Sequence, residues 1–497
     1  MKLLRGFAFL AALFLLAGNG SPYAMAHHPV STQNELAQQS FDQGLTLYYA
    51  YNGAEAAALF ERAAQLDQHL AIAYYGIALA VGPDLNSPLT QDGFKRASSA
   101  LKKAQSLEGY ANESERAYVD ALSQRYAHEF NKQAADENRY RSRMAELAAR
   151  YPTDDDALIL YTEALLEKNG RGDLWNSDGS PRNRDVTAMQ QNLQIVLLRN
   201  PAHIGANHLM IHLLDSAPNA EAALASARRL TQSNFPPAAE HLAHMAAHTF
   251  IETGNYTAAA TASREAIRLF DAYLASQHDS THDNYWSHDV NIGVAALRML
   301  GKYDEALEMS RRLDEHFGYY DASALTMVRF YRWKEALALH PSATSDVLRF
   351  ARGMSYAATG HIGEAEQELQ ALKKAKSDTL SQDMLAAKIA IVRDEPSRAE
   401  TLLLAAREQD APLNAGEDPY FYPPEEALGA LYFRLNQFDK AELAFRNDLR
   451  AHPHGGRALF GLWKTLAAQN KPQAGAVARE FESAWSQSDT NLDMSQL

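Results

Sequence analysis

Small and apolar residues recur along the chain at a spacing that neither a strand nor one long helix produces. Gly44, Ala56, Phe60 and Ala63 stand at relative positions 0, 12, 16 and 19. The same spacing selects Ile211, Ala223, Ala227 and Leu230, then Ala247, Ala259, Ser263 and Ala266, and then Val294, Ala306, Ser310 and Leu313. Gly353, Ala365, Leu369 and Leu372 repeat it again. Between the first two members of the later copies lies a turn followed by an aromatic or apolar residue: Gly254-Asn-Tyr256, Gly301-Lys-Tyr303, Gly360-His-Ile362. Asn436-Gln-Phe438 is another such turn. Glycine or asparagine at that point permits a left-handed helix ending. Each copy therefore predicts two antiparallel helices, with small residues where the pair crosses closely and larger ones filling the groove between them.

The clearest copy is Phe41 to Gln68, FDQGLTLYYAYNGAEAAALFERAAQLDQ, followed by the next first helix at Ala71 to Ala78. It resembles the tetratricopeptide repeat, departing from it where Gln68 replaces the usual proline, which Pro453 supplies in the last clear copy. The resemblance implies an all-α fold: a right-handed α-solenoid of stacked helix-turn-helix, tetratricopeptide-like repeats, running as a single array over residues 27–497. A plain helical bundle would share the periodicity. The regularity breaks near 168–185, 270–289 and 409–424, and these stretches are read as loop insertions at turns between repeats. The first, KNGRGDLWNSDGSPRNRD, is a candidate to fold over a groove.

The N-terminus narrows the setting. Lys2 and Arg5 precede an apolar run from Phe7 to Ala17, and Ala24-Met25-Ala26 has the small residues of a cleavage site. Residues 1–26 thus read as a signal peptide, which predicts a periplasmic or secreted protein starting at His27. The run is shorter than the roughly 20 residues a bilayer requires, and no comparable run follows, so no membrane span is expected. The chain has no cysteine, which excludes disulfides and thiolate metal sites. Its 61 acidic residues outnumber 47 basic ones, a formal charge of −14. A surface of that sign repels phosphate backbones, so nucleic acid is not the expected partner.

Histidine carries the candidate chemistry. Nine of the 18 histidines fall between His203 and His288, in the repeats of residues 200–300. His208 and His212 are one turn apart on one predicted first helix, and His244 and His248 are one turn apart on the next, so each pair shares a face. His241 lies on the same stripe as His244 and His248, within an arc of about 60°. His288 and Asn291 take matching places on the following first helix. In tetratricopeptide proteins this side of the first helix lines the concave groove, so the resemblance implies that these side chains face inward. Neutral imidazole is a common ligand for copper, zinc or iron. The proposed ligand set is His208, His212, His244, His248 and His288, with His241, Asn207, Asn291, Glu252 and Asp215 lining the groove or orienting the ligands. The other reading of the same pattern is a hydrogen-bonded polar seam between stacked helices. His203, His278 and His282, at the margins, are expected to be exposed. Cleavage after Ala26 would also allow His27 to chelate copper through its amine and ring, as an N-terminal brace.

The segments NPAHIGANHLMIHLL and HLAHMAAHTFIETGNY resemble a bacterial family of exported tetratricopeptide proteins, whose corresponding segments read like GANHYYIHA and HMPSHIYxRxGRY. His208, His212, His244 and His248 fall on that family's motif histidines, while Ala246 and Ala247 replace its usual proline and serine. The resemblance covers nearly the whole mature chain and implies no particular reaction. Two functions fit this pattern. One is a metal-binding solenoid, with metalloenzyme activity left open and a small-molecule or peptide ligand in the groove. The other is a metal-free scaffold for a peptide or protein partner. A zinc-protease reading of the His244 and His248 pair fails because Met245 stands where the catalytic glutamate belongs. No nucleophile elbow or phosphate-cradling glycine loop is present.

Overall fold

Phe60 shows why the repeat has its spacing. It lies on helix Gly53–Leu66, and its ring is wedged between helices Glu35–Tyr48 and Ala71–Ala80. A Cβ added at Gly44 would stand 2.8 Å from Phe60 Cε1, and one at Gly76 would stand 2.5 Å from Phe60 Cδ1. Any larger residue at either point would displace the ring, because packed interiors have no slack for an extra methyl group. The same wedge recurs with Phe445 on helix Phe438–Ala451. There, Cβ atoms at Gly429 and Gly461 would approach the ring to 2.6 and 2.3 Å.

The structure is a computed structural model that describes residues 23–497 except 171, 173, 216, 278–283, 340–344 and 410–421. Most of the expected signal peptide, His278, His282 and most of the 409–424 insertion lie outside the described residues. The secondary structure described is helical, apart from one isolated bridge between Trp175 and Pro181. No helix among the described residues is long and apolar enough to cross a membrane. The all-α class and the stacked helix hairpins expected from the spacing are therefore present.

The hairpin turns share one geometry. Gly254, Gly301, Gly360 and Asn436 all have positive φ, as the sequence predicts. Tyr51, Tyr331, Asp394 and Asn470 occupy the equivalent position with φ of 57°, 60°, 56° and 53°. In each case the next residue donates its N–H to a carbonyl five residues back, as Asn52 does to Leu47, Arg332 to Met327 and Glu395 to Ala390. This is a Schellman ending, which satisfies carbonyls that the helix leaves open. A search for glycine or asparagine misses three of these eight turns, those at Tyr51, Tyr331 and Asp394, because the hydrogen bonds hold the left-handed geometry even where the residue does not favour it.

Two insertions differ from simple loops. Residues 270–277 continue helix Tyr256–Gln277, since REAIRLFDAYLASQ contains neither glycine nor proline to stop it. Within the 168–185 stretch, Trp175 is buried and its indole N–H donates to the Leu213 carbonyl at 2.7 Å. That contact pins the segment to the end of helix Ile204–Leu214.

Chain contacts divide the protein into two units, residues 1–249 with 265–281, and residues 250–264 with 282–497. The first holds the Phe60 wedge and most of the histidine cluster. The second holds the Phe445 wedge and a large apolar core centred on residues such as Phe350, Leu385, Leu403 and Leu459.

Candidate metal centre

Helix Ile204–Leu214, IGANHLMIHLL, is buried along its whole length. A helix that is apolar on every face is sunk in a core, and its two histidines are carried in with it. His203 caps its start, its Nδ1 accepting the Ala206 N–H at 3.2 Å. Asn207 is turned away from the imidazoles and donates to the Pro201 and His203 carbonyls, both at 2.9 Å. It braces the helix entry. Helix Glu240–Glu252 supplies His241, His244 and His248.

Five imidazoles form a continuous chain of ring contacts. His208 and His212 have centroids 4.7 Å apart, His208 and His241 5.0 Å, His241 and His244 5.5 Å, and His244 and His248 4.6 Å. Their exposures are 1%, 0%, 6%, 3% and 5% in the order 208, 212, 241, 244, 248, so the cluster is an interior feature. His208, His212 and His241 each offer one ring nitrogen such that the three atoms lie within 4.8 Å of one another. Ligands bound to one ion at about 2.0–2.1 Å are separated by at most roughly 4 Å, so small ring rotations would suffice to close the set. The sequence pattern places His241 beside the ligands in the groove rather than among them. Its place one turn before His244, on a helix crossing beside His208, brings it to the centre of the trio.

Tautomer and charge favour coordination. Nδ1 of His208 lies 2.7 Å from the Tyr49 carbonyl. A carbonyl can only accept, so Nδ1 carries the proton and Nε2 presents the lone pair. Burial and then the neighbouring imidazoles of His208, His244 and His212 push His241 well below the ordinary histidine range. It is therefore neutral, the form that binds metals. Nε2 of His244 and Nε2 of His248 are 3.0 Å apart, so one donates to the other. Asp215 stands 3.9 Å from Nδ1 of His248, beyond a direct hydrogen bond but close enough to act on its charge. Glu252 is half-buried at the end of the same helix. His288 and Asn291 lie on helix Asn284–Met299 of the second unit, the first half-buried and the second exposed.

Tyr51 is a contributor that the sequence reading did not single out. Its ring centroid is 4.5 Å from that of His208, 5.5 Å from His241 and 5.7 Å from His212, with the last pair stacked. The left-handed turn at Tyr51 aims this ring at the trio, and the signal available for it was the aromatic run LYYAY just before the first hairpin turn.

Beside the trio, Asp156 gathers a second cluster. Its carboxylate meets Nδ1 of His28 at 2.7 Å and Nε2 of His203 at 3.3 Å, and it accepts the Tyr49 hydroxyl. Burial alone would raise its pKa, but the hydrogen bonds from His203 and His28 outweigh that and hold the carboxyl far below the usual range. His203, expected at the surface, is buried for this reason. His28 and Asp154 complete a group with Asp156 whose ligand atoms also lie within 4.8 Å. Asp154 is already committed, however, capping the Ala157 N–H at 3.1 Å and accepting the Tyr118 hydroxyl at 2.8 Å. This cluster reads as a clasp for the N-terminal segment, together with Ala24 N–H to the Asn234 carbonyl and Ala26 N–H to Thr46 Oγ1. His27, the candidate brace residue, directs Nδ1 to Asp42 at 2.7 Å and keeps a largely exposed side chain.

A scan of protein-family models finds no match to this chain. No curated protein matches it either. Among solved structures the chain is similar to the TPR domain of P58(IPK), with 13% identity over 88% of this chain and 99% of that one, at a TM-score of 0.23. At that score the superposition adds nothing to the helix hairpins described above, which carry the fold assignment alone.

Proposed function

We propose that this is an exported, tetratricopeptide-like protein that binds a first-row transition metal, copper, zinc or iron, through His208, His212 and His241. The observation that carries the reading is the convergence of three buried ring nitrogens from two helices, with His208 held by the Tyr49 carbonyl in the tautomer that offers Nε2. An all-imidazole set suits those metals and is poor for magnesium or calcium, which require oxygen. His244 and His248 extend the set along the helix and can orient it or serve a further exchange of ligands. Whether the bound ion acts on a small molecule or organises a peptide-binding groove is decided by the groove's occupant.

The test is elemental analysis of untagged protein, exported through its own leader and purified without chelators. Near-stoichiometric metal, lost in His208→Ala and His212→Ala variants that keep their helical circular dichroism, is the expected result. Metal-free protein that captures a peptide or protein partner equally well with and without these histidines would leave the scaffold reading in its place.

A further inference from the structure

The second unit contains a cavity of about 290 Å3 bounded by helices Asp346–Ala358, Thr379–Val392 and Pro424–Arg434, with Leu403 of helix Pro396–Gln409 and the C-terminal residues Met494, Ser495 and Leu497 completing its lining. Its walls are apolar, with Met354, Met384, Leu431 and Phe433 among them, and methionine gives such walls the freedom to adapt to a guest. Two cations break this surface. Lys388 sits part-buried in the wall, with its ammonium 5.5 Å from the Trp333 ring centre. Arg434 stands exposed at the rim and makes only a long contact, 3.5 Å, to the Ile391 carbonyl.

Neighbouring basic side chains are neutralised: Arg393 by Glu366 at 2.8 Å, Arg398 by Glu395 at 2.9 Å and Lys440 by Glu400 at 2.9 Å. Among the described residues, Lys388 and Arg434 form no ion pair, and both line the same cavity. In a chain with an acidic excess, two unneutralised cations around an apolar hollow form a local inversion of charge. Burial, then Arg434 nearby, lowers the Lys388 pKa, so an incoming anion would relieve an existing electrostatic cost.

We propose that this cavity binds an amphipathic monocarboxylate, a medium-chain fatty acid, with its carboxylate between Lys388 and Arg434 and its chain against the methionine and phenylalanine walls. The hollow leaves room for a short alkyl chain beside the two cations, and octanoate is its simplest representative. A peptide fits the walls poorly. Apart from Tyr422 and Ser495 they present few polar side chains to pair with a peptide backbone. The site is separate from the imidazole trio, and its test does not depend on bound metal.

Isothermal titration of the full-length protein with octanoate, and separately with octan-1-ol, checks the proposal. Saturable, one-to-one octanoate binding is expected, tighter than octanol by at least about tenfold, which corresponds to about 1.4 kcal/mol. Lys388→Met should weaken octanoate binding about tenfold or more and leave octanol within twofold. Arg434→Gln, a rim substitution with little consequence for folding, should weaken octanoate alone and stands in if Lys388→Met does not fold. The His208→Ala, His212→Ala double variant should bind octanoate as the parent does, which separates this site's fate from that of the metal centre. Equal affinity for octanol and octanoate, no saturable octanoate binding, or unchanged octanoate binding in both cation variants would overturn it. So would preferential binding of a blocked hexapeptide.

Discussion

The Tyr49 carbonyl lies 2.7 Å from Nδ1 of His208, while the hydroxyl of the same tyrosine donates to Asp156. One residue thus fixes the tautomer of a candidate ligand through its backbone and is itself fixed by the N-terminal clasp through its side chain. Metal-binding histidines commonly depend on such an outer partner for orientation, and losing it costs about 10–100-fold in affinity.

The clasp should therefore matter to metal as well as to stability. Asp156→Asn removes the charge that His28 and His203 share and leaves the buried His203 ring and the half-buried His28 ring without their anionic partner. Breaking a buried, charge-assisted network from one side costs about 3–5 kcal/mol. The variant is expected to lower the first unfolding midpoint in urea and to weaken metal about tenfold, and Tyr49→Phe, which keeps the carbonyl but cuts the hydroxyl link to Asp156, should weaken metal to a similar degree. Equal metal affinity in Asp156→Asn and the parent would uncouple the clasp from the trio.

Ligation should also be visible as stability. An ion that binds only the folded chain, present at about 100 times its Kd, adds about 2.7 kcal/mol. Adding chelator to metal-loaded protein is expected to lower its melting temperature by several degrees. In His208→Ala, chelator should have no effect. A chelator-induced drop of the same size in both proteins would place the ion elsewhere.

The hairpin turns allow a gain of stability. Asp394 has φ 56° with an exposed side chain, so the backbone carries left-handed strain that no packing requires. An L-residue in this region is disfavoured by roughly 1–2 kcal/mol relative to glycine, and the greater freedom of unfolded glycine offsets part of that. Asp394→Gly is expected to stabilise the second unit by about 0.5–1 kcal/mol, read as a shift in denaturant midpoint at constant slope. Gly301→Ala, at the equivalent position, should do the opposite. Its φ is 73° and a Cβ there would come within 2.5 Å of Trp485.

The residues that repeat were legible before the structure, and those that depend on distant partners were not. Gly44, Phe60 and Ala63 announce a helix hairpin because their spacing is set by local geometry, and the Phe60 wedge confirms the reason. The histidine pairs at 208 and 212 and at 244 and 248 were visible as one-turn spacings. The entry of His241 into the trio was not, because it depends on how two helices cross. Tyr51 and Asp156 escaped notice for the same reason. Tyr51 reaches the imidazoles from a turn more than 150 positions earlier in the chain, and Asp156 joins His28 across 128 positions. No periodic pattern encodes such contacts. His203, at the margin of the cluster, reads as exposed from sequence alone because its burial follows from Asp156, 47 positions away.

A last consequence concerns pH. Glu163 is buried and accepts the Tyr48 hydroxyl, with Glu167 on the next turn and Arg125 close to both. Burial, reinforced by the charge of Glu167, raises the Glu163 pKa well above the ordinary glutamate range, and the Tyr48 hydrogen bond and Arg125 only partly oppose it. The folded chain thus keeps a proton at pH values where the unfolded chain has released it. With the folded pKa above the unfolded one, this group's contribution to stability is complete below the unfolded value. It is lost as pH rises through the folded value. Glu163→Gln mimics the protonated side chain at every pH and keeps an acceptor for Tyr48. The variant should match the parent near pH 5 and become the more stable of the two by pH 8, by an amount on the order of 1 kcal/mol per unit of the raised pKa traversed. Urea unfolding of both proteins across that range reads the difference directly. Two curves that stay parallel from pH 5 to pH 8 would mean that Glu163 is ionised throughout, with Arg125 strong enough to hold its charge in the interior.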